Sequence, residues 1–494
     1  MSLWTAALLL ATAEVTVLAP VLDVGDRKQL FLDDRFIAES EGVDLRANPP
    51  VKRGIVLQGE APWDEGWIGY CDALDDGTGE YKLYYASWAV GKDGKRGRGA
   101  YCLATSRDGV HWTRPSLGLV DYNGSKDNNV LPYTADCVFL DPQAPPEQRY
   151  KMLREDGFDD PEKGGLYLGY SPDGIHWTRH PERVLPLLPD TQNQAFYDTR
   201  LGRYVAYLRC WSPLRKVARA EMDDILKPWP YDTSVKPYLI WGDKHPPVPS
   251  RELPHAISYD ELDPPATDIY TPCVLQYPWA ENAYFAFPSI YYHFPEPPVG
   301  KYGNDGFLEI QLAVSRDGLQ FTRPDRRAYV PLGVRGSSDG GAMYMAPGII
   351  RRGDELYQYY AGFSCSHGEY VGFKELRGIS HVHLVVQRLD GFMSADAAYT
   401  GGWLTTPAVT FAGRELELNL DCGAVGHARV ELRDEGNAPI EGFTAEDCDL
   451  IRGNHVHHTV TWGGKADVAA LAGKPVRLHF DLRDAKLYAF QFKG

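Results

Sequence analysis

The sequence predicts an all-β protein: a five-bladed β-propeller over residues 21–394, followed by a β-sandwich over 395–494. Three observations carry the prediction. First, one hairpin unit recurs. It reads Ser106-Arg107-Asp108-Gly109-Val110-His111-Trp112-Thr113-Arg114, returns as Ser171-Pro172-Asp173-Gly174-Ile175-His176-Trp177-Thr178-Arg179, and again as Ser315-Arg316-Asp317-Gly318-Leu319-Gln320-Phe321-Thr322-Arg323. Two worn copies, 217–224 leading to Trp229 and 384–392, bring the number to five. Second, two strand-like runs precede each copy, so every unit holds four strands, and a four-stranded sheet repeated radially is a propeller blade. Third, near residue 395 the repeat stops. Apolar and polar residues then alternate over about 100 residues between Gly/Asp/Asn turns, as half-buried sandwich strands do.

The unit is a turn with a mechanism. Ser and Asp side chains bond nearby backbone N–H groups, Gly supplies the backbone freedom, and the following aromatic packs between blades. These aspartates therefore read as scaffold. In chain order, 21–60 holds one clear strand at 29–32 and is the candidate for closing the ring. The two strands ahead of each hairpin are 70–74 and 81–85, then 137–140 and 149–153, 195–197 and 204–207, 273–277 and 284–287, and 348–350 and 356–360. In the sandwich Leu416, Leu418 and Leu420 alternate with Glu415, Glu417 and Asn419. Leu478, Phe480 and Leu482 keep the same period, as do Tyr488, Phe490 and Phe492.

Bulk properties narrow the function. The 494 residues carry a formal charge of −16, which argues against nucleic acid or an anionic membrane as main partner. No stretch after the N-terminus approaches a membrane span of roughly 18 apolar residues. Residues 1–20 read as a signal-peptide candidate: a short apolar run ending in Ala11-Thr12-Ala13, although no Lys or Arg precedes it. The expected location is therefore secreted or periplasmic. None of the eight cysteines forms Cys-x-x-Cys, so no zinc site is expected. Cys422 with Cys448 is the one bridge that an exported chain suggests. No cofactor and no metal are expected.

A five-bladed propeller followed by a sandwich resembles glycoside hydrolase family 32, in the superfamily shared with families 43 and 68. The blade repeats and the C-terminal alternation carry the resemblance. The family's Asn-Asp-Pro-Asn-Gly motif is absent, its place reading Trp63-Asp64-Glu65-Gly66-Trp67-Ile68-Gly69-Tyr70. Its Arg-Asp-Pro motif is reduced to the Asp of Thr134-Ala135-Asp136-Cys137, and its Glu-Cys motif has no Glu in Gln192-Asn193-Gln194. The resemblance implies a divergent glycoside hydrolase of a plant or algal oligo- or polysaccharide. A non-catalytic carbohydrate-binding propeller is the alternative, and a sialidase-like six-bladed ring lacks a visible sixth unit.

Glycoside hydrolysis needs two carboxylates flanking the scissile bond. In a propeller, the loops leading into innermost strands and those after second strands converge on one mouth. Acids there are few. Asp136 and Asp268 are the expected working carboxylates, with Glu155 the third acid. Arg154, Arg209, His293, His367 and Asp339 are candidate substrate-binding residues in the same loop classes, joined by the flat rings of Trp88, Trp211 and Tyr292. The Pro-rich connection 228–267 is long enough to wall one side of the mouth.

Overall fold

The computed structural model describes residues 20–297 and 300–494. The signal-peptide candidate lies outside the described residues, apart from Pro20. The chain divides into two compact units, one spanning Leu45–Ala395 and the other combining residues up to Asp44 with Asp396–Gly494.

The first unit is a β-propeller. In chain order its antiparallel sheets are Trp67–Leu74, Tyr81–Val90, Arg96–Ser106 and Val130–Leu131; Cys137–Leu140, Tyr150–Asp156, Gly165–Ser171 and Thr178–Leu185; Gln194–Asp198, Arg203–Trp211, Arg215–Met222 and His255–Ile257. The fourth blade is Thr267–Thr271, Ser289–His293, Gly306–Gln311 and Ala328–Val330. It breaks partway, and its strands continue as a second small sheet, Val274–Gln276, Tyr284–Ala286 and Ala313–Ser315. Cys273 at φ 39° and Pro288, which has no N–H to give, sit at the break. The fifth blade is Ala342–Met345, Glu355–Phe363, Ser380–Arg388 and then Val51–Gln58.

The ring is therefore closed by Val51–Gln58 from the start of the chain. That strand lies within the stretch 21–60 expected to close the ring, but the clear strand noted there pairs elsewhere: Gln29–Leu30 lies against Ala485–Lys493 in the second unit. The reason is in the pattern. Phe31 and Phe36 are fully buried and pack edge-on to Phe490 and Phe480, a demand that the mixed, exposed face of 51–58 does not make.

The recurring hairpin turns take one geometry. Asp108 Oδ1 accepts the N–H groups of Val110 and His111 at 2.8 Å, and Ser106 Oγ accepts that of Gly109 at 2.9 Å. Asp173 with Ser171, and Asp317 with Ser315, repeat it. The glycines have φ of 74°, 77° and 73°. Each carbonyl of these glycines is hooked by a tyrosine of the preceding blade: Tyr359 to Gly109 at 2.7 Å, Tyr84 to Gly174 at 3.0 Å, Tyr207 to Gly318 at 2.7 Å. Tyr204 to Asp141 at 2.9 Å and Ser289 to the Met343 carbonyl at 3.0 Å link the remaining neighbours, so the ring is bonded all the way round. In the first and fourth blades the residue after the aromatic makes a single bridge, Thr105 to Thr113 and Val314 to Thr322. The outer strand comes later in the chain than the repeat suggests.

The second unit is a sandwich of two sheets. One holds Leu22–Gly25, Val409–Phe411, Val476–Arg483, Gly402–Thr405 and Glu39–Glu41, with His427–Asp434 also on Val476–Arg483. The other has Asn454–Thr459, Glu415–Asp421 and Ala485–Lys493. Phe411 stacks on Phe492 at 3.7 Å between them. All eight cysteines are buried free thiols, so Cys422 and Cys448 are not bridged. Among the described residues, no helix is long and apolar enough to cross a membrane.

Candidate active site

The starts of the innermost strands and the ends of the second strands lie at one end of the propeller. Asp136 immediately precedes Cys137–Leu140, its N–H bonded to the Leu153 carbonyl at 2.8 Å. Glu155 lies near the end of the adjacent strand. The loop into the third blade brings in Asp190 and Thr191, both at positive φ (53° and 95°), a conformation that costs energy for residues with a Cβ. Asn193 holds the corner. Its amide N–H reaches Glu155 Oε1 at 3.4 Å and the Thr191 carbonyl at 3.0 Å, while its Oδ1 accepts the Arg209 N–H at 3.0 Å.

Burial pushes the Asp136 carboxyl well above the usual carboxylate range. Asn193 and Arg154 pull it down, and the charge of Asp190 adds to the rise. Burial likewise raises Glu155, and the charges of Asp136 and Asp190 raise it further. Neighbouring carboxyls of this kind titrate as a pair, and burial favours their protonated forms.

Beside the pair stand two guanidiniums. Arg209 is fully buried, ion-paired with Asp190, and bonded through Nε to the Pro189 carbonyl at 3.2 Å. Arg215 is ion-paired with Asp268 at 2.9 Å. Both lie on the ring of Tyr270, Arg209 at 4.7 Å and Arg215 at 5.3 Å from its centroid. Tyr70, Tyr344 and Tyr291 complete an aromatic row with Tyr270, with centroid separations of 5.6–5.7 Å along it, and Trp67 and Trp88 extend it into the first blade. Asp136 Oδ2, Arg154 Nε, Arg209 Nη1, Arg215 Nε and Asp268 Oδ1 are all buried here without a protein partner. Buried polar groups are ordinarily paired, so such a concentration marks a place built for something other than stability.

The expected residues divide. Asp136, Glu155, Arg209 and His367 come together. Asp268 stands inside the strand Thr267–Thr271 rather than ahead of it and is almost fully buried. One of its oxygens takes both Arg215 and His293 Nε2, at 2.9 and 3.1 Å, so it orients these two side chains and is not a free base. His293 is held there, its ring 3.8 Å from that of Tyr291. Arg154 turns to Asp156 at 3.1 Å, and Trp211 lies under Arg209 at 4.8 Å. Trp88 stacks on Trp67 at 4.6 Å with Arg96 covering its other face at 3.6 Å, away from the acids.

Tyr292 alternates to the opposite side of its strand from Tyr291 and donates to Glu309 at 3.0 Å, so Tyr291 takes the place expected of it. Asp339 is claimed by Lys52 of the closing strand at 2.7 Å and by Tyr360 at 2.8 Å, which hold its carboxyl low against its burial. It locks the ring rather than facing the mouth. The loop 228–267 is pinned to the mouth end of the third blade through the Trp211 N–H to Pro249 carbonyl bond at 2.9 Å.

Asp190, Asn193, Arg215 and Tyr270 were not singled out from the sequence. Asp190 sits in an unremarked loop, and Asn193 was noted only within Gln192-Asn193-Gln194, where the family's Glu is missing. Arg215 opens a third strand, a class of position not considered. Tyr270 is one of 30 tyrosines. A cavity of about 580 Å³ opens at the other end of the axis, where innermost strands from all five blades run out at Leu74, Leu140, Tyr197, Gln276 and Ile349. Its wall is mostly apolar.

No protein-family description and no curated protein matches the chain. Solved structures do. A glycoside hydrolase is similar over 68% of this chain and 92% of its own, at 11% identity and TM-score 0.41. A family 43 arabinoxylan arabinofuranohydrolase from Bacillus subtilis is similar over 88% and 97%, at 13% identity and TM-score 0.37. The β-1,2-mannobiose phosphorylase from Listeria innocua is similar over 68% and 94%, at 12% identity and TM-score 0.41.

Proposed function

We propose that the propeller unit is a glycoside hydrolase of an oligo- or polysaccharide, working at the mouth where Asp136 and Glu155 meet. What supports this reading is the placing of Asp136 and Glu155 at neighbouring strand ends, where burial raises both carboxyls above the usual range. A carboxylic acid that keeps its proton at neutral pH is what departure of a sugar alkoxide requires, because the glycosidic oxygen must be protonated as its bond to the anomeric carbon breaks. Asp136 is the general acid. Glu155 stands beside it, and the charge of Asp190, ion-paired with Arg209, adds to the pair's affinity for a proton. The tyrosine row offers flat rings with polar edges to sugar faces.

The test is a screen of aryl glycosides and glycan mixtures against wild type, Asp136→Asn and Glu155→Gln. Loss on sugars with poor leaving groups, and recovery by Asp136→Asn on a dinitrophenyl glycoside that needs no protonation, supports the assignment. Activity that survives Asp136→Asn on every substrate removes Asp136 as the acid. A wild type that binds glycans and cleaves none leaves the carbohydrate-binding alternative.

A further inference from the structure

We propose that Tyr270 is the nucleophile of this site, activated by His367; the inference rests on the hydrolase reading and supplies the partner that Asp136 lacks. The acids next to Asp136 do not fill that place. Asp72 is fully buried under the Tyr101 hydroxyl, Asp190 and Asp268 are each bound to a guanidinium, and Glu155 is raised by burial and by the charge of Asp136. A nucleophile must therefore come from elsewhere on the same mouth.

Tyr270 is set up for it. Its hydroxyl lies 3.0 Å from His367 Nε2, and His367 Nδ1 lies 3.1 Å from the backbone carbonyl of Asn304. A carbonyl only accepts, so Nδ1 carries the hydrogen. Burial, with Arg215 and Arg209 near, keeps the ring neutral, its pKa lowered to about 4. In a neutral imidazole the second nitrogen is then a bare acceptor. The hydroxyl of Tyr270 consequently donates to Nε2 and turns its lone pairs elsewhere. The anchoring carbonyl is itself fixed by the Tyr291 hydroxyl at 2.6 Å. Tyrosine, histidine and carbonyl form a relay in which the last member sets the tautomer of the second, as a base is oriented in other nucleophile–base pairs. Arg209 and Arg215 on the ring stabilise negative charge on the phenol oxygen when it leaves.

The steps balance. Tyr270 Oη bonds to the anomeric carbon while the bond from that carbon to the leaving oxygen breaks; Asp136 gives its proton to the leaving oxygen, and Nε2 of His367 takes the phenol proton. A weakly basic imidazole suffices, because a phenol oxygen forming a third bond is far more acidic than a free phenol. In the second half water attacks the anomeric carbon and gives a proton to Asp136, the aryl–sugar bond breaks, and His367 returns its proton to Tyr270. Two displacements restore the original configuration.

The experiment treats the whole chain with a small sulfonyl fluoride, which needs base assistance to react with tyrosine, and maps the labelled peptide by mass spectrometry. Label is expected on Tyr270, at least five-fold lower in His367→Gln and unchanged in Asp136→Asn, with circular dichroism confirming that the variants fold. Label on other tyrosines only, or on Tyr270 to the same extent in His367→Gln, overturns the proposal. No glycoside is involved, so an inert wild type in the glycoside screen defeats the hydrolase reading separately. Where a cleaved glycoside is found, Tyr270→Phe, which preserves the ring packing, loses at least 10²-fold in kcat/KM. NMR of the first-formed sugar shows retention, and inversion rejects the nucleophile.

Discussion

Asp108, Asp173 and Asp317, in the outer turns, each sit in a nest of donors: two backbone N–H groups and a serine hydroxyl for each. Their carboxyls are held low. His111 and backbone N–H groups lower Asp108, and in Asp173, brought to about 2, hydrogen bonds outweigh burial. At the mouth Asp136 and Glu155 are half-buried with few donors and beside other acids, and their carboxyls are raised. First and third strands run the same way, so the outer turns lie at the end of the propeller away from the mouth. Supply of donors separates the two groups. Acids that the backbone saturates hold the scaffold, and acids left short of donors keep a proton to use.

The largest effect expected from this contrast is kinetic. Asp136→Asn should lower kcat/KM on poor-leaving-group glycosides by about 10²–10⁴-fold, the range for loss of a general acid, while Asp108→Asn leaves it unchanged; steady-state hydrolysis measures both. Gly174→Ala sharpens the scaffold side. Its φ of 77° strains any residue with a Cβ, and that Cβ would stand 2.2 Å from the Tyr84 hydroxyl that hooks this turn. A loss of about 2–3 kcal/mol is expected in thermal or urea unfolding, with glycosidase kinetics at low temperature intact.

The pH dependence of stability should differ in sign between the two regions. A carboxyl raised by folding stabilises fully below its unfolded pKa of 3.8 and loses that contribution as pH climbs through its higher folded value. Asp136→Asn should therefore melt higher than wild type at pH 8 and gain less at pH 5, by a few degrees, in scanning calorimetry. Asp173, lowered to about 2, contributes fully above 3.8 and loses it as pH falls through 2; Asp173→Asn should cost about 1 kcal/mol at pH 7 and progressively less as pH falls through 2. His367 and His383, both lowered to about 4 by burial, contribute above 6.5 and lose it between 6.5 and 4. His383→Gln should accordingly flatten the acid side of the melting curve by the smallest margin of the series.

Much of this molecule is local and was therefore readable. A Ser-x-Asp-Gly turn makes its own hydrogen bonds within six residues, and alternation in 415–420 states which face is buried, so hairpins and sheets follow from short stretches of sequence, whereas the sandwich also takes in strands from before residue 45. The strand-end positions of Asp136 and Glu155 were readable too, because strand ends in a propeller converge wherever the blades close. What depended on tertiary structure was every relation between residues far apart in the chain: Val51–Gln58 closing the ring instead of 29–32, Lys52 claiming Asp339, Arg215 claiming Asp268, and Tyr270 meeting His367 across 97 positions. The sequence by itself determined which residues turn, pair and alternate, since those preferences are carried by neighbours. Only the assembled ring decided which acids find donors and which stay short of them, because burial and partner choice depend on what the other blades bring to the same few ångströms.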